Sequence, residues 1–162
     1  MTSASSGPPS GLHGHFLEEL RATAAERAGR PALIHRDHSY SYGELDRRAR
    51  SVAAWLQGLG VQKGDRVVLA TPEKLPFLAA HLGTLYAGGI SLPLNPRCTR
   101  DELHYFLADS HALVAVVGRE QRPVVEGLQP ELAGLRAVVA DAAAWEAAEG
   151  SAQEPAIAAD DP

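Results

Sequence analysis

The pattern of apolar and polar residues predicts helices and strands that alternate along most of the chain. The first helix is predicted over residues 12–28, where apolar residues recur every fourth position on one face: Leu12, Phe16, Leu20 and Ala24. A Gly-Arg-Pro break at residues 29–31 ends it. The runs ALIH and RDHSYSY then predict a short β-hairpin that turns at Arg36-Asp37.

Two helix starts carry the same signature, a hydroxyl residue followed three positions later by glutamate. Ser41 with Glu44 and Thr99 with Glu102 have this capping-box spacing, in which each side chain bonds the other residue's backbone amide. The first predicts a helix that presents Leu45, Ala49, Val52, Ala53 and Leu56 on one side. The second opens the predicted helix RDELHYFLADS.

Apolar runs separate the helices and predict strands. VVLATP is typical of a strand covered on both faces, and ALVAVVG is another run of the buried type. ISLPL predicts a short strand whose prolines limit its hydrogen bonding, RAVVA predicts a last strand, and a helix LPFLAAHLGTLYAG lies between VVLATP and ISLPL. The pair Gly88-Gly89 ends that helix, with one glycine expected in the left-handed conformation. The segment RPVVEGLQPELAGL predicts a weak helix or a loop. Together these patterns predict an α/β fold, a mostly parallel sheet with helices on both faces.

The chain divides into three predicted parts. Residues 1–11 are polar and are expected to be a disordered lead-in, and residues 12–145 form the α/β unit. Residues 146–162 lack apolar periodicity and are expected to be a linker or tail. In a parallel sheet, ligands bind at the carboxyl ends of the strands, so the loops after VVLA and ISLPL are the expected binding edge.

Composition argues against several kinds of partner. The net charge is −5, and the basic residues are scattered, so we expect neither nucleic acid nor an anionic membrane as partner. No apolar run approaches the length of a membrane span. The single cysteine, Cys98, excludes an internal disulfide and fits a reducing compartment, so a cytoplasmic location is expected. Cys98 has no CxxC partner, and an incidental thiol is favoured over a nucleophile.

The candidate chemical residues form no recognised site. The sequence has no GxGxxG, no GxxxxGK[ST] and no GxSxG, and its two lysines, Lys63 and Lys74, are interpreted as solvated. Metal binding is not expected, because the histidines share no ligand spacing with carboxylates or cysteine: His13, His15, His35, His38, His81, His104 and His111. The terminal pair Asp160-Asp161 is interpreted as solvated. The sequence therefore predicts no catalytic, cofactor-binding or metal-binding residue.

Three segments, in order and at the right spacing, resemble the opening part of the AMP-forming acyl-CoA synthetases, within the adenylate-forming superfamily. Ser41-Tyr42-x-Glu44-Leu45 is similar to the family's [ST]-Y-x-E-L helix start, and GVQKGDRV at residues 60–67 to its GVxxGDRV turn. The AGGISLPLNP of residues 87–96 resembles its AGG-x-x-x-PLNP segment. The details TPEK and AGGISLPLN look closest to malonyl-CoA synthetases. The fold that this resemblance implies is the Rossmann/flavodoxin-like N-terminal subdomain of the adenylate-forming fold.

The resemblance implies a fragment that is inactive alone. The family joins a carboxylic acid to CoA through an acyl-adenylate and releases AMP and pyrophosphate, so ATP, Mg²⁺ and CoA are expected for a full-length enzyme and none for this chain. The family's phosphate loop, adenine and ribose segments, Mg²⁺ motif and C-terminal lysine have no matching position here. The expected partner is the remainder of the catalytic domain, and self-association through uncovered apolar surface is also expected.

Two other interpretations remain open. The chain could be a stand-alone binding or regulatory module that reuses this half-domain, in which case it should bind CoA or a nucleotide saturably. It could also be an independent flavodoxin-like nucleotide binder, although the missing phosphate loop argues against that.

Overall fold

The computed structural model describes residues 12–35 and 37–140, and the described part is an α/β structure. Its helices are α1 (Leu12–Glu26), α2 (Tyr42–Gly58), α3 (Lys74–Tyr86), α4 (Arg100–Ser110) and α5 (Arg122–Leu128), followed by a 3₁₀ turn, Gln129–Glu131. Its strands are β1 (Pro31–His35), β2 (His38–Ser41), β3 (Arg66–Ala70), β4 (Ile90–Pro93), β5 (Val114–Val117) and β6 (Ala137–Val139).

Four of the strands form a parallel sheet in the order β4-β3-β5-β6. Val68 of β3 lies opposite Leu92 of β4 on one side and Ala115 of β5 on the other. The remaining strands, β1 and β2, make a separate antiparallel hairpin. The predicted parallel sheet and N-terminal hairpin are therefore both confirmed.

Helices cover both faces of the sheet, because alternate residues of each buried strand point to opposite sides. Val67 and Leu69 face a core that they share with α2 and α3. Val68 and Ala70 face a second core that they share with α4 and α5. The continuous apolar run of β3 is thus explained by burial on two sides, as predicted for a doubly covered strand.

Both predicted capping boxes are present. The Ser41 hydroxyl accepts from the Glu44 amide at 3.2 Å, and the Glu44 carboxylate accepts from the Ser41 amide at 2.8 Å. The pair Thr99 and Glu102 repeats the arrangement at α4. Hydrogen bonds from Ser41 lower the pKa of Glu44, which keeps this cap charged at neutral pH.

Helices α2 and α3 pack closely because α3 carries a glycine at their contact. A Cβ atom added at Gly83 would lie 2.5 Å from the Val52 Cβ and 2.8 Å from the Ala49 carbonyl oxygen. Both Val52 and Ala49 are completely buried in α2. The distance between the two helix axes is therefore set by the absence of a side chain at one position.

A polar network ties α1 to the same pair of helices. The buried Tyr86 of α3 donates its hydroxyl hydrogen to Asp46 of α2 at 2.8 Å, and Asp46 also accepts from Arg50. The guanidinium of Arg21, in α1, lies over the Tyr86 ring at 4.9 Å. Burial and the neighbouring Asp46 carboxylate raise the pKa of Tyr86, so its hydroxyl remains a donor across the accessible pH range.

The element boundaries follow the sequence pattern closely, with small differences. The first helix ends at Glu26, two residues before the predicted end, and Gly88 has the expected left-handed backbone with φ of 81°. The segment described as a weak helix or loop divides into α5 and the 3₁₀ turn. The predicted lead-in, residues 1–11, and the tail, 146–162, lie outside the described residues, so the division into three parts stays a prediction.

We predict that Gly83→Ala destabilises the protein by about 1–3 kcal/mol, because the added methyl group overlaps α2 and forces the helices apart. Gly58→Ala is the matched control, since a Cβ there meets no atom within 4 Å. Its free energy of unfolding should stay at or slightly above that of the unaltered protein. Denaturant titration measures both, and an equal loss in the two variants would contradict the account.

Candidate ligand-binding edge

The carboxyl ends of the parallel strands form the candidate site. At two of these neighbouring ends, the chain leaves the sheet toward opposite faces. Neighbouring strands β3 and β5 lead into α3 and α5, which lie on opposite faces of the sheet. Their outgoing loops therefore diverge, which is the geometry at which open α/β sheets bind ligands. We call the loops 71–73, 94–99 and 118–121 the carboxyl edge.

At this point of divergence, two of the loops are in contact. Gly118 continues the ladder by donating its amide hydrogen to the Ala70 carbonyl at 3.1 Å. A Cβ atom at Gly118 would lie 2.9 Å from the Pro72 Cδ, so the pyrrolidine ring rests against the glycine backbone. Beside them, the buried Thr71 hydroxyl accepts from the Glu73 amide at 3.3 Å. The centre of the edge is thus lined by the pyrrolidine ring of Pro72 and by the backbone of Gly118.

The second part of the carboxyl edge is the turn of residues 94–99, which begins with the last three residues of the PLNP motif, residues 93–96. The Asn95 side-chain oxygen accepts from the Arg97 amide at 2.9 Å, and the Asn95 carbonyl accepts from the Cys98 amide at 3.0 Å. This Asx-type turn reverses the chain between β4 and the capping residue Thr99. The motif therefore ends β4 and directs the chain toward the start of α4.

A hydrogen bond from Gln121 joins this turn to the loop after β5. The Gln121 side-chain amide donates to the Cys98 carbonyl oxygen at 3.1 Å. Its Oε1 atom is buried and has no hydrogen-bond partner among the described residues. The Cys98 thiol is free and partly buried, and the contact uses only the cysteine backbone. The sequence offered no signal for this contact, because it joins residues 23 positions apart whose loops meet only in the folded sheet.

The two lysines lie at opposite ends of the sheet. Lys74 is the exposed first residue of α3, next to the carboxyl edge. Lys63 lies in the turn that precedes β3, so it is at the amino edge, and it too is exposed. The structure therefore does not bring them together. The other charges of the carboxyl edge have both signs and lie on exposed positions: Glu73, Arg97, Arg119 and Glu120.

The histidines of α3 and α4 are dispersed as well, whereas His35 and His38 lie opposite each other in the hairpin. His81 of α3 stacks on Phe77 and lies 2.9 Å from the Ser91 hydroxyl, whereas His104 of α4 contacts Glu131 at 3.5 Å. His111 follows α4 in the left-handed conformation with φ of 50°. Within residues 12–35 and 37–140, no three histidine, cysteine or acidic side chains form a group that could hold a metal ion. The side chains of His13 and His15, and the pair Asp160-Asp161, lie outside the described residues.

Comparison with known proteins establishes the family. Residues 20–162 match the model of the AMP-binding enzyme family, and the chain belongs to that family. It is 40% identical over 103 residues to a long-chain-fatty-acid–CoA ligase of Yersinia pestis, a match that covers 63% of this chain and 18% of the relative. The chain thus spans less than a fifth of the length of that relative.

Two solved structures agree with this result. A benzoate CoA ligase from Burkholderia xenovorans LB400 has 30% identity and a TM-score of 0.73, over 93% of this chain and 30% of the other. ATP-bound MatB from Rhodopseudomonas palustris has 28% identity and a TM-score of 0.66, over 82% of this chain and 28% of the other. The expected N-terminal portion of an adenylate-forming enzyme is therefore confirmed for fold and family. None of the helices in residues 12–35 and 37–140 combines the length and the apolar character of a membrane span.

We predict that His81 makes the free energy of unfolding depend on pH. Burial lowers the pKa of His81 below its ordinary value of 6.5. Between the two pKa values the unfolded chain binds a proton that the folded protein resists, so stability falls as the pH drops below about 6.5. Denaturant midpoints between pH 7.5 and 5 measure this loss. The loss should be smaller in His81→Gln than in the unaltered protein, and an equal pH dependence of the two proteins would contradict the prediction.

Proposed function

We propose that this chain is the opening part of the catalytic domain of an acid–CoA ligase and that its own role is structural. The observation that carries the proposal is the family match over residues 20–162, combined with a coverage of only 18% of the long-chain relative. In this role the sheet and its helices form one wall of a larger site, and the carboxyl edge supplies turns that the rest of the domain completes.

The composition of the carboxyl edge supports inactivity of the isolated chain. Formation of an acyl-adenylate requires groups that position a triphosphate and neutralise the charge that develops on it. At the centre of the edge Pro72 instead packs against Gly118, and the charged side chains of the edge lie on exposed turns. The described residues therefore do not fit a Mg²⁺-bound nucleotide, and we assign no reaction step to any of them. ATP, Mg²⁺ and CoA belong to our proposal for a full-length enzyme only.

The proposed substrate class is a carboxylic acid. The relatives named above act on a long-chain fatty acid and on benzoate, and the segments TPEK and AGGISLPLN resemble malonyl-CoA synthetases. Similarity to MatB is consistent with the malonate branch, and similarity to the Yersinia ligase is consistent with a fatty acid, so the proposal stops at the class of carboxylic acids. A cytoplasmic location is part of the proposal, because a single free cysteine fits a reducing compartment.

We predict that the pure chain catalyses no acid-dependent exchange between ATP and pyrophosphate, because it lacks a matched group for triphosphate positioning. The assay uses benzoate, malonate and a long-chain fatty acid, with a full-length acyl-CoA ligase as the positive control. Exchange above the protein-free rate would contradict the structural role. Calorimetric titration with CoA and with Mg²⁺–ATP completes the test, since saturable binding without exchange would favour a stand-alone binding module.

A further inference from the structure

Strand β4 has one side that is not paired within the described part of the chain. It pairs with β3. At the ends of this ladder the Ile90 amide donates to the carbonyl of Asp65, just before β3, at 2.7 Å, and the Leu94 amide donates to the Leu69 carbonyl at 2.8 Å. Because backbone groups alternate in direction along a strand, Ser91 and Pro93 point the other way. Ser91 therefore offers both an amide hydrogen and a carbonyl oxygen to the outside, whereas Pro93 offers only a carbonyl.

The strand itself carries none of the charged side chains that usually protect a sheet edge. No charged residue occurs from Ala87 to Pro96, which includes the whole of β4 and both of its ends. Ile90 is 48% exposed, although it belongs to the strand. Edge strands normally carry lysine or another charge that prevents pairing with a second chain. Within the described residues, β4 thus displays an apolar side chain and, at Ser91, a backbone donor that has no strand partner.

We propose that two copies of this chain associate through β4, in an antiparallel pair centred on Ser91. In this register the two Ser91 residues exchange both backbone hydrogen bonds, and Ile90 of each copy lies opposite Leu92 of the other. Directly opposed residues share one face of an antiparallel pair, so the exposed Ile90 packs on an apolar side chain. The two sheets join into one of eight strands, counting the four strands of each copy.

A second copy fits this edge better than an unrelated strand, because the edge is self-complementary. A two-fold axis at Ser91 matches one donor with one acceptor in each direction, and it requires nothing from Pro93, which has no amide hydrogen. A longer partner strand would also lie opposite Pro93, which has no amide hydrogen to donate. It would lie opposite Gly89 as well, whose amide already donates to the Thr84 carbonyl at 2.9 Å. The short, symmetric pair therefore uses Ser91, the residue on this side of β4 that offers both a donor and an acceptor.

The helix layer accommodates the same arrangement. Helix α3 packs on both β3 and β4, so its axis lies near the middle of that strand pair. With strands about 4.8 Å apart, the two-fold axis places α3 and its copy about 10 Å apart, an ordinary distance for packed helices. The half-buried stack of Phe77 and His81 lies on this side of α3, where His81 contacts Ser91. This stack would contribute to the contact between the two helices.

We predict that the molar mass of the 162-residue chain rises with concentration toward that of a dimer, as measured by sedimentation equilibrium. Ile90→Lys should weaken the dimer at least ten-fold, because it places two ammonium groups beside the paired strands. The matched control is Ile34→Lys, since Ile34 is 70% exposed on the separate hairpin, and it should leave the dimer unchanged. A monomer at all concentrations, or equal effects of the two lysine variants, would overturn the proposal.

A second experiment tests the register and does not depend on how well the lysine variant folds. Opposed residues of a hydrogen-bonded antiparallel pair have Cα atoms about 5.5 Å apart, which is within the range of a disulfide. In a Cys98→Ser background, Ser91→Cys should therefore form an intermolecular disulfide under mild oxidation. The exposed Ser39→Cys, on the hairpin, is the control and should cross-link much more slowly. Cross-linking at equal rates would overturn the proposed pairing.

Discussion

The close approach of α2 and α3 at Gly83 is the constraint on which the rest of this structure depends. The missing side chain lets Val52 and Ala49 of α2 contact the backbone of α3, and the paired helices then cover one face of β3. Because β3 lies inside the sheet, with β4 and β5 on its two sides, its position fixes the loops at its carboxyl end. A local packing requirement thus determines where the candidate site lies.

The sequence predicts those features whose causes are local. Capping boxes at Ser41 and Thr99 depend on residues three positions apart, and the left-handed Gly88 depends on a single missing side chain, so the pattern is sufficient to identify each. The apolar runs likewise identify the buried strands, because burial on both faces excludes polar residues. The main difference is at the end of the first helix, where the apolar spacing extends two residues beyond the last helical turn.

The features that sequence reasoning missed are contacts between distant loops. Pro72 against Gly118 and Gln121 on the Cys98 carbonyl join segments that become neighbours only when β3, β4 and β5 pair. No periodicity or short motif encodes such a contact. The same limit applies to β4, since its lack of charge is visible in the sequence, whereas its edge position follows from the strand order.

The central claim is that this chain acts as one wall of a larger catalytic domain, and the intact mass of the protein in its native cells tests this most directly. Antibodies raised against residues 12–140 would capture the protein for mass spectrometry and N-terminal sequencing. The account predicts a species much heavier than 17.2 kDa that contains these residues. A species of 17.2 kDa as the sole product would contradict it and would favour a stand-alone binding module.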